Sequence, residues 1–108
     1  MAAAQALDRE AVLQALRAVL DPELGYNIVD LGLIYQVEVE AGVITIRMTM
    51  TTPGCPAQDY IVSGVHERCM SLPGATEARI DLVWLPAWSP QRMTPVAQAH
   101  FGIQAAQD

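Results

Sequence analysis

Residues 33–50, LIYQVEVEAGVITIRMTM, decide the fold of this chain. Apolar and polar residues alternate on both sides of Ala41-Gly42, and alternation with period two is typical of half-buried strands. A two-residue turn at Ala41-Gly42 joins them into an antiparallel hairpin whose apolar residues all face one core. The predicted apolar pairs are Val39 with Ile44, Val37 with Ile46, Tyr35 with Met48 and Leu33 with Met50; on the polar face Glu38 lies beside Thr45 and Gln36 beside Arg47. Because alanine is a poor residue where a turn needs a positive φ, a longer loop is the alternative.

Helices are predicted at both ends of the chain. Asp8 can cap a first helix that runs to about Leu20, and Asp21-Pro22 ends it because the residue before a proline avoids the helical region. Thr94-Pro95 starts a last helix with a cap and a first-turn proline in the usual order, and Gly102 ends it.

A second helix and a third strand follow the hairpin. The helix runs from Pro56 to about Met70, and the strand spans 76–84. One stripe of that helix carries Ile61, Val65 and Cys69, so we expect Cys69 to be a buried, unreactive thiol. The predicted fold class is α/β in its two-layer α+β form, in the order helix, strand, strand, helix, strand, helix. One small mixed sheet has helices packed on one face. A single domain is predicted over 8–103, with a frayed or disordered tail at 1–7 and another at 104–108.

Composition excludes several classes of function. The chain has 108 residues, a net charge of −6, no lysine, and six arginines that never cluster. Nucleic-acid binding needs a basic surface to neutralise phosphates, and an acidic chain is also disfavoured on anionic membranes. The first residues lack the basic start of a signal peptide, and no apolar run is long enough for a membrane helix. We therefore expect a cytoplasmic protein that binds neither nucleic acid nor membrane.

Cys55 is the residue most suited to chemistry. Because proline favours the first helical position, Pro56 places Cys55 at the N-cap of the second helix, with Gln58 as its capping-box partner. Unpaired N–H groups and the positive end of the helix dipole both favour the thiolate, which is the form that attacks and binds metal. Gly54 lets the backbone approach a ligand, and Thr51 and Thr52 add hydroxyl groups. A plain small N-cap residue is the alternative, and the sequence does not separate the two.

Two further segments are candidates. Asp21 and Glu23 flank Pro22 and could bind a cation or an arginine of a partner, although composition alone favours two solvated turn residues. Asp30 is expected to cap local backbone N–H groups. An exposed apolar patch for a protein partner is predicted from the segment Trp88, Ser89 and Met93, with the alternative that Trp88 folds back over the sheet.

Three stretches of this sequence together resemble one family. They are Asp21-Pro22-Glu23, the run NIVDLGLIY at 27–35 and the run TTPGCP at 51–56. They resemble the SufT-like family, which includes bacterial SufT, the phenylacetate-degradation subunit PaaD and the targeting factors of eukaryotic cytosolic iron–sulfur assembly. The resemblance covers about 10–103. It implies a compact domain like other iron–sulfur scaffold domains, and an accessory role in maturing iron–sulfur proteins rather than a turnover enzyme.

The resemblance also assigns residues and partners. The family's cysteine falls on Cys55, as a candidate metal ligand, its acidic pair on Asp21 and Glu23, and its loop threonines on Thr51 and Thr52. No cofactor is expected to stay bound to the isolated chain, although iron or an iron–sulfur cluster could bind transiently. The implied partners are the iron–sulfur assembly machinery and its client proteins.

The chain departs from the family pattern near its end. The family's motif of tryptophan, acid, proline, proline, tryptophan falls on 84–88, but Leu85 replaces the acid and Ala87 a proline. PaaD proteins carry a further cysteine-rich segment that looks like a metal site, and its absence here favours the SufT-like interpretation. A PaaD-like assembly subunit that supports a phenylacetyl-CoA oxygenase is kept as the alternative.

Three hypotheses about function follow. In the first, Cys55 contacts a cluster; one thiolate cannot hold a cluster alone, so a homodimer that brings two Cys55 thiols together is the economical form. In the second, the domain is a metal-free adaptor that binds through Trp88, and Cys55 is only a cap. In the third and weakest, Cys55 is an enzyme nucleophile with Asp21 or Glu23 as its acid–base partner.

Overall fold

A three-stranded mixed sheet forms the centre of the molecule. The computed structural model describes residues 7–51, 54 and 56–103. Strand order in the sheet is β3-β4-β5, with β3 antiparallel and β5 parallel to β4. The predicted fold class is confirmed. In chain order the elements are α1 Arg9–Leu16, β1 Leu20–Asp21, β2 Tyr26–Asn27, β3 Ile34–Glu40, β4 Val43–Met48, α2 Gln58–Met70, β5 Glu77–Leu82, a 3-10 helix Pro90–Arg92 and α3 Pro95–Phe101.

The β3–β4 hairpin keeps most of its predicted register. Val39 pairs with Ile44 and Val37 with Ile46, and the polar pairs are also as predicted. The turn has two residues, with Ala41 at φ 53° and Gly42 at φ 85°, so the longer loop is not needed.

The predicted pairs Tyr35–Met48 and Leu33–Met50 are wrong. The register shifts between Ile34 and Gln36, and Ile34 pairs with Met48 instead. Tyr35 is the extra residue of this bulge. Its hydroxyl donates to the Pro86 carbonyl oxygen at 2.7 Å, and the Arg92 guanidinium carbon lies 4.7 Å from the centre of its ring. These contacts with the C-terminal segment take Tyr35 out of the predicted row of core residues.

Two helix boundaries differ from the prediction. Helix α1 ends at Leu16, four residues early, because the chain turns there and enters a short antiparallel ladder, β1 with β2, that the sequence did not predict. Helix α2 begins at Gln58 rather than Pro56, and its N-cap is Ala57, without a side-chain hydrogen bond. The assignment of Cys55 as the N-cap is therefore wrong.

The other predicted caps are confirmed. The Asp8 carboxylate accepts from the Ala11 N–H at 2.9 Å, and the Thr94 hydroxyl accepts from the Ala97 N–H at 3.4 Å. Gly102 ends α3 in the left-handed conformation at φ 72°.

One hydrophobic core joins the sheet to its helices. Helix α1 packs on β3 and on α2, and α2 packs on β5. The buried stripe of α2 is the predicted one, Ile61, Val65 and Cys69, each fully buried. In the part of the chain that the structure describes, no helix is long and apolar enough to cross a membrane.

Candidate functional site

The loop between β4 and α2 carries most of the predicted site. Thr52 and Cys55 lie outside the described residues. Thr51 is half-buried. Gly54 is exposed at φ 74°, and no described atom lies within 4 Å of the position that a Cβ would take there. A glycine suits this position because L side chains rarely adopt a positive φ.

The loop leads directly into the N-terminus of α2. This helix has 13 residues, and its Ala57 cap offers no side-chain acceptor to the first N–H groups. Cys55 precedes that cap by two residues in the sequence. The first N–H groups of α2, which have no acceptor within their own helix, and the positive dipole end therefore follow the cysteine in the chain, although Cys55 is not the N-cap that the sequence suggested.

Asp21 is buried rather than solvated. Asp21 is 1% exposed, and its Oδ1 accepts from the N–H groups of Glu23 at 2.8 Å and Leu24 at 3.3 Å. The Gly25 N–H donates to the Asp21 carbonyl oxygen at 2.6 Å. The interpretation of Asp21 as a solvated turn residue is therefore wrong: it holds the turn between β1 and β2. Glu23 is exposed.

A chain of backbone hydrogen bonds connects this turn to the end of β4. The Ile28 N–H donates to Val19 O at 3.0 Å, the Leu33 N–H to Ile28 O at 3.1 Å, and the Thr49 N–H to Leu33 O at 2.9 Å. Val19 precedes the Asp21 turn by two residues, and Thr49 precedes Thr51 by two. Main-chain hydrogen bonds thus run from just before the Asp21 turn to just before Thr51.

The same turn segment also lies against α2. A shallow pocket is lined by Ala18, Val19 and Leu20 on one side and by residues of α2, including Tyr60 and Gly64, on the other. A Cβ added at Gly64 would lie 3.2 Å from a Val19 methyl group. The missing side chain at Gly64 therefore allows the close approach of helix and turn.

Asp30 organises a network that the sequence did not predict. Its carboxylate accepts from Arg17 Nη1 at 2.8 Å, Asn27 Nδ2 at 2.8 Å and Thr94 Oγ1 at 3.2 Å. Burial by itself raises the pKa of Asp30, but hydrogen bonds from Asn27 and Arg17, the charge of Arg17 and the bond from Thr94 outweigh it and lower the pKa below its usual value. The prediction that Asp30 caps local backbone N–H groups is wrong. Asn27 does so instead, because its Oδ1 accepts from the Asp30 N–H at 2.8 Å.

Comparison with known proteins identifies the family. Residues 9–82, from the first residue of α1 to the last of β5, match the family described as iron-sulfur cluster assembly protein. This chain belongs to that family. Among its relatives is the Fe-S protein maturation auxiliary factor of Porphyromonas gingivalis, 42% identical over 87% of this chain and 90% of the relative. The corresponding factor SufT of Staphylococcus aureus is 38% identical over 79% of this chain and 98% of the relative. The SufT-like assignment is confirmed.

Two solved structures that match over nearly their whole length share the fold. A domain of unknown function from Bacillus anthracis matches with a TM-score of 0.81 and 41% identity, over 88% of this chain and 92% of that chain. A conserved hypothetical protein of Thermotoga maritima matches with a TM-score of 0.79 and 37% identity, over 90% of this chain and 96% of that chain.

The predicted apolar patch lies beyond the family match and is only partly exposed. Met93 is 7% exposed and belongs to the core, so its place in an exposed patch is wrong. Trp88 and Ser89 are half-buried, and the Trp88 indole N–H donates to Leu31 O at 2.7 Å. Trp88 therefore folds back onto the segment that precedes β3. Leu85, three residues before Trp88, is 82% exposed.

Cys69 is buried, as the sequence predicted. It is fully buried, and burial raises its pKa to about 11. Within the described ranges, no three His, Cys, Asp or Glu side chains come together in a way that could hold a metal ion.

Proposed function

We propose that this chain is an accessory factor in the maturation of iron–sulfur proteins, and that the thiolate of Cys55 contacts iron or an iron–sulfur cluster in transit. The observation that carries the proposal is the main-chain connection between the Asp21 turn and the end of β4, where the loop with Cys55 begins. It supports one site built from both stretches. The names of the relatives, which are maturation auxiliary factors and iron-sulfur cluster carrier proteins, support the same role.

The chemistry of the donor atoms fits a cluster as cargo rather than as a resident group. Clusters are commonly held by four cysteine thiolates, and thiolate sulfur is the soft ligand that they select. Cys69 cannot add a second ligand from this chain, because it is buried and its pKa is raised to about 11. The remaining ligands therefore come from the assembly machinery that delivers the cluster or from the client that receives it.

The neighbouring residues have supporting roles in this proposal. The hydroxyls of Thr51 and Thr52 donate hydrogen bonds to cluster sulfur or to the Cys55 thiolate, and Gly54 leaves room for the cargo. Asp21 fixes the turn that presents Glu23, whose carboxylate meets an arginine of the partner. Such a chain acts stoichiometrically with its clients, in the cytoplasm, as an accessory protein and not as a turnover enzyme. The PaaD-like alternative stays a prediction.

Matched cysteine variants test the role of Cys55. Cys55→Ala and Cys69→Ala remove the same sulfur, one from the proposed site and one from the core. Each is expressed in a host whose own related gene is deleted, and the activities of the host's iron–sulfur enzymes are measured. We expect Cys55→Ala to lose the maturation activity and Cys69→Ala to retain it. Equal protein levels, checked by immunoblot, show that a loss of maturation activity does not come from loss of the folded chain.

The outcome also separates the adaptor hypothesis. If Cys55→Ala supports full maturation at the wild-type protein level, the thiolate proposal is wrong, and a role that needs no thiol at Cys55 replaces it. Anaerobic purification with a loaded iron–sulfur donor, followed by iron and sulfide analysis, gives the direct measurement. Iron should appear with the wild-type chain and be absent with Cys55→Ala.

A further inference from the structure

The outer edge of β5 carries backbone groups that no described strand uses. Across residues 7–51, 54 and 56–103, β5 pairs with β4 alone. The Val83 N–H, directly after the strand, donates to Met48 O at 2.8 Å on the β4 side. Because backbone groups alternate along a strand, the N–H and C=O groups of Ala78, Ile80 and Leu82 point away from β4. Such a row is a template for another strand.

Strand β5 lacks three features that commonly protect an edge strand, namely a bulge, a proline and an inward-pointing charge. Proteins block exposed edges with bulges, prolines or inward-pointing charges. The opposite edge strand, β3, has the bulge at Tyr35. The register of β5 is regular over Glu77–Leu82, and its charged residues all lie on the polar face. On the other face Ala78, Ile80 and Leu82 are only half-buried, beside a groove lined by Val62, Ser63, His66, Glu67, Ala78 and Ile80.

We propose that β5 pairs antiparallel with β5 of a second copy of this chain, about a two-fold axis through Ile80, to form a continuous six-stranded sheet. A two-fold axis perpendicular to the sheet keeps every side chain on its own face. The axis must therefore lie midway between the two copies of one residue, and it is described as passing through that residue. Through Ile80, Arg79 of each copy lies opposite Asp81 of the other. Ile80 of one copy faces Ile80 of the other, and Ala78 of each copy faces Leu82 of the other.

Charge selects this register over its neighbours. An axis through Arg79 puts the two Arg79 side chains together and Glu77 against Asp81, and an axis through Asp81 puts the two Asp81 side chains together. An axis through Ala78 does pair Arg79 with Glu77, but only the three residues 77–79 of β5 then face β5 of the other copy. The axis through Ile80 pairs the five residues 78–82 and is free of opposed like charges.

The backbone geometry strengthens the two charge pairs. Ala78, Ile80 and Leu82 supply the hydrogen-bonded pairs, so Arg79 and Asp81 occupy the non-hydrogen-bonded positions, where opposed side chains are closer. Within one copy, Arg79 already contacts Glu77 at 2.7 Å and Asp81 contacts Arg47 at 3.4 Å. Pairing of the copies joins these ion pairs into a single network of alternating charge on the polar face.

This dimer differs from one that shares a cluster between two Cys55 thiols. Strands β4 and β5 are parallel, so both end on the side of the sheet from which the loop after β4 leaves. Antiparallel pairing of β5 with its copy puts those ends on opposite sides. Each copy then keeps its own loop open, so the inference goes beyond the proposed function and does not depend on it.

Charge exchange on the full chain tests the interface. The mass is measured by analytical ultracentrifugation from about 1 µM to about 1 mM, with reductant present to exclude disulfide-linked species. We expect the wild type to approach twice 11.7 kDa. Arg79→Asp and Asp81→Arg each oppose like charges at two positions and should weaken self-association by about tenfold or more.

Mixing the two charge variants restores complementary charge. In the mixed dimer, the aspartate introduced at position 79 of one copy faces the arginine introduced at position 81 of the other. The unchanged Asp81 of the first copy faces the unchanged Arg79 of the second. Both pairs then join opposite charges, so an equimolar mixture should recover the dimer.

Control variants separate the interface from ion pairs within one copy. Glu77→Gln removes the same internal pair as Arg79→Asp, and Arg47→Gln the same internal pair as Asp81→Arg. Neither residue faces a charge across the proposed interface, so both variants should dimerise like the wild type. Circular dichroism checks that every variant folds. A wild type that stays monomeric at all concentrations, a dimer insensitive to both charge reversals, or a mixture that does not associate overturns the proposal.

Discussion

Replacing Asp30 with asparagine should destabilise the fold far more than a carboxylate-to-amide change normally does. The Asp30 carboxylate connects Arg17 after α1, Asn27 at the end of β2 and Thr94 at the cap of α3. An asparagine keeps one acceptor oxygen but turns an N–H₂ group toward donors. Hydrogen bonds to a charged group contribute about 1.5–3 kcal/mol each, and the bond from Arg17, whose side chain is 42% exposed, is discounted for solvent screening. We expect a loss of about 2–3 kcal/mol in the free energy of unfolding.

Chemical and thermal unfolding measure that loss. For a domain of this size, about 2–3 kcal/mol corresponds to a fall in Tm of roughly 10–20 °C. Glu38→Gln is the matched control, because Glu38 is exposed on the polar face of the sheet, where its Oε2 accepts only from the nearby Gln36 amide at 2.7 Å among the contacts of the described chain. It should change the free energy of unfolding by less than about 0.5 kcal/mol. Equal effects of the two variants would refute the argument that Asp30 holds three elements together.

The pH dependence gives a second measurement of the same network. The pKa of Asp30 is lowered from its ordinary 3.8, so the folded state favours the ionised carboxylate. The stabilisation is therefore complete above the unfolded pKa and is lost as the pH falls through the lower, folded pKa. The difference in stability between wild type and Asp30→Asn should be constant from pH 7 to about 5 and shrink below about 4.

Four further outcomes follow from the backbone angles of single residues and from the burial of Cys69. Gly32→Ala should cost more than about 3 kcal/mol in urea unfolding, because its φ is 82° and a Cβ would lie 2.3 Å from Arg92 O. Gly54→Ala, at φ 74° in open space among the described atoms, should cost only about 1 kcal/mol, and a ranking in the other order would contradict the steric argument. Ala41→Gly should raise the free energy of unfolding by about 0.5 kcal/mol, since Ala41 has φ 53°; a lowered midpoint in the same assay would show that no strain is stored there. Cys69 should resist alkylation at pH 8 until the chain is unfolded, as measured by peptide mass mapping, because burial raises its pKa to about 11; labelling of the native chain at Cys69 would contradict its burial.

Local patterns predicted most of the elements correctly. The register near the hairpin turn, the buried stripe of α2 and the caps at Asp8 and Thr94 depend on spacing within a few residues, and each is as expected. The family assignment likewise depended on three short stretches, each of which can be read directly from consecutive residues.

The errors occurred where distant residues decide the local geometry. Tyr35 leaves the core row because Pro86, 51 residues away, accepts from its hydroxyl. The partners of Asp30 lie as far as Thr94, 64 residues along the chain. Two-residue strands such as β1 are too short for periodicity to reveal, and without that ladder nothing in the sequence indicated that Asp21 would be buried.

The connection from Val19 through Ile28 and Leu33 to Thr49 is made of main-chain atoms alone. These hydrogen bonds do not depend on side-chain chemistry, so any buried side chain that packs at these positions keeps the same main-chain connection between the acidic turn and the loop after β4. Proline is the exception, since it has no N–H to give at positions 28, 33 or 49. Relatives about 40% identical to this chain can therefore differ in many side chains and still keep the same main-chain connection.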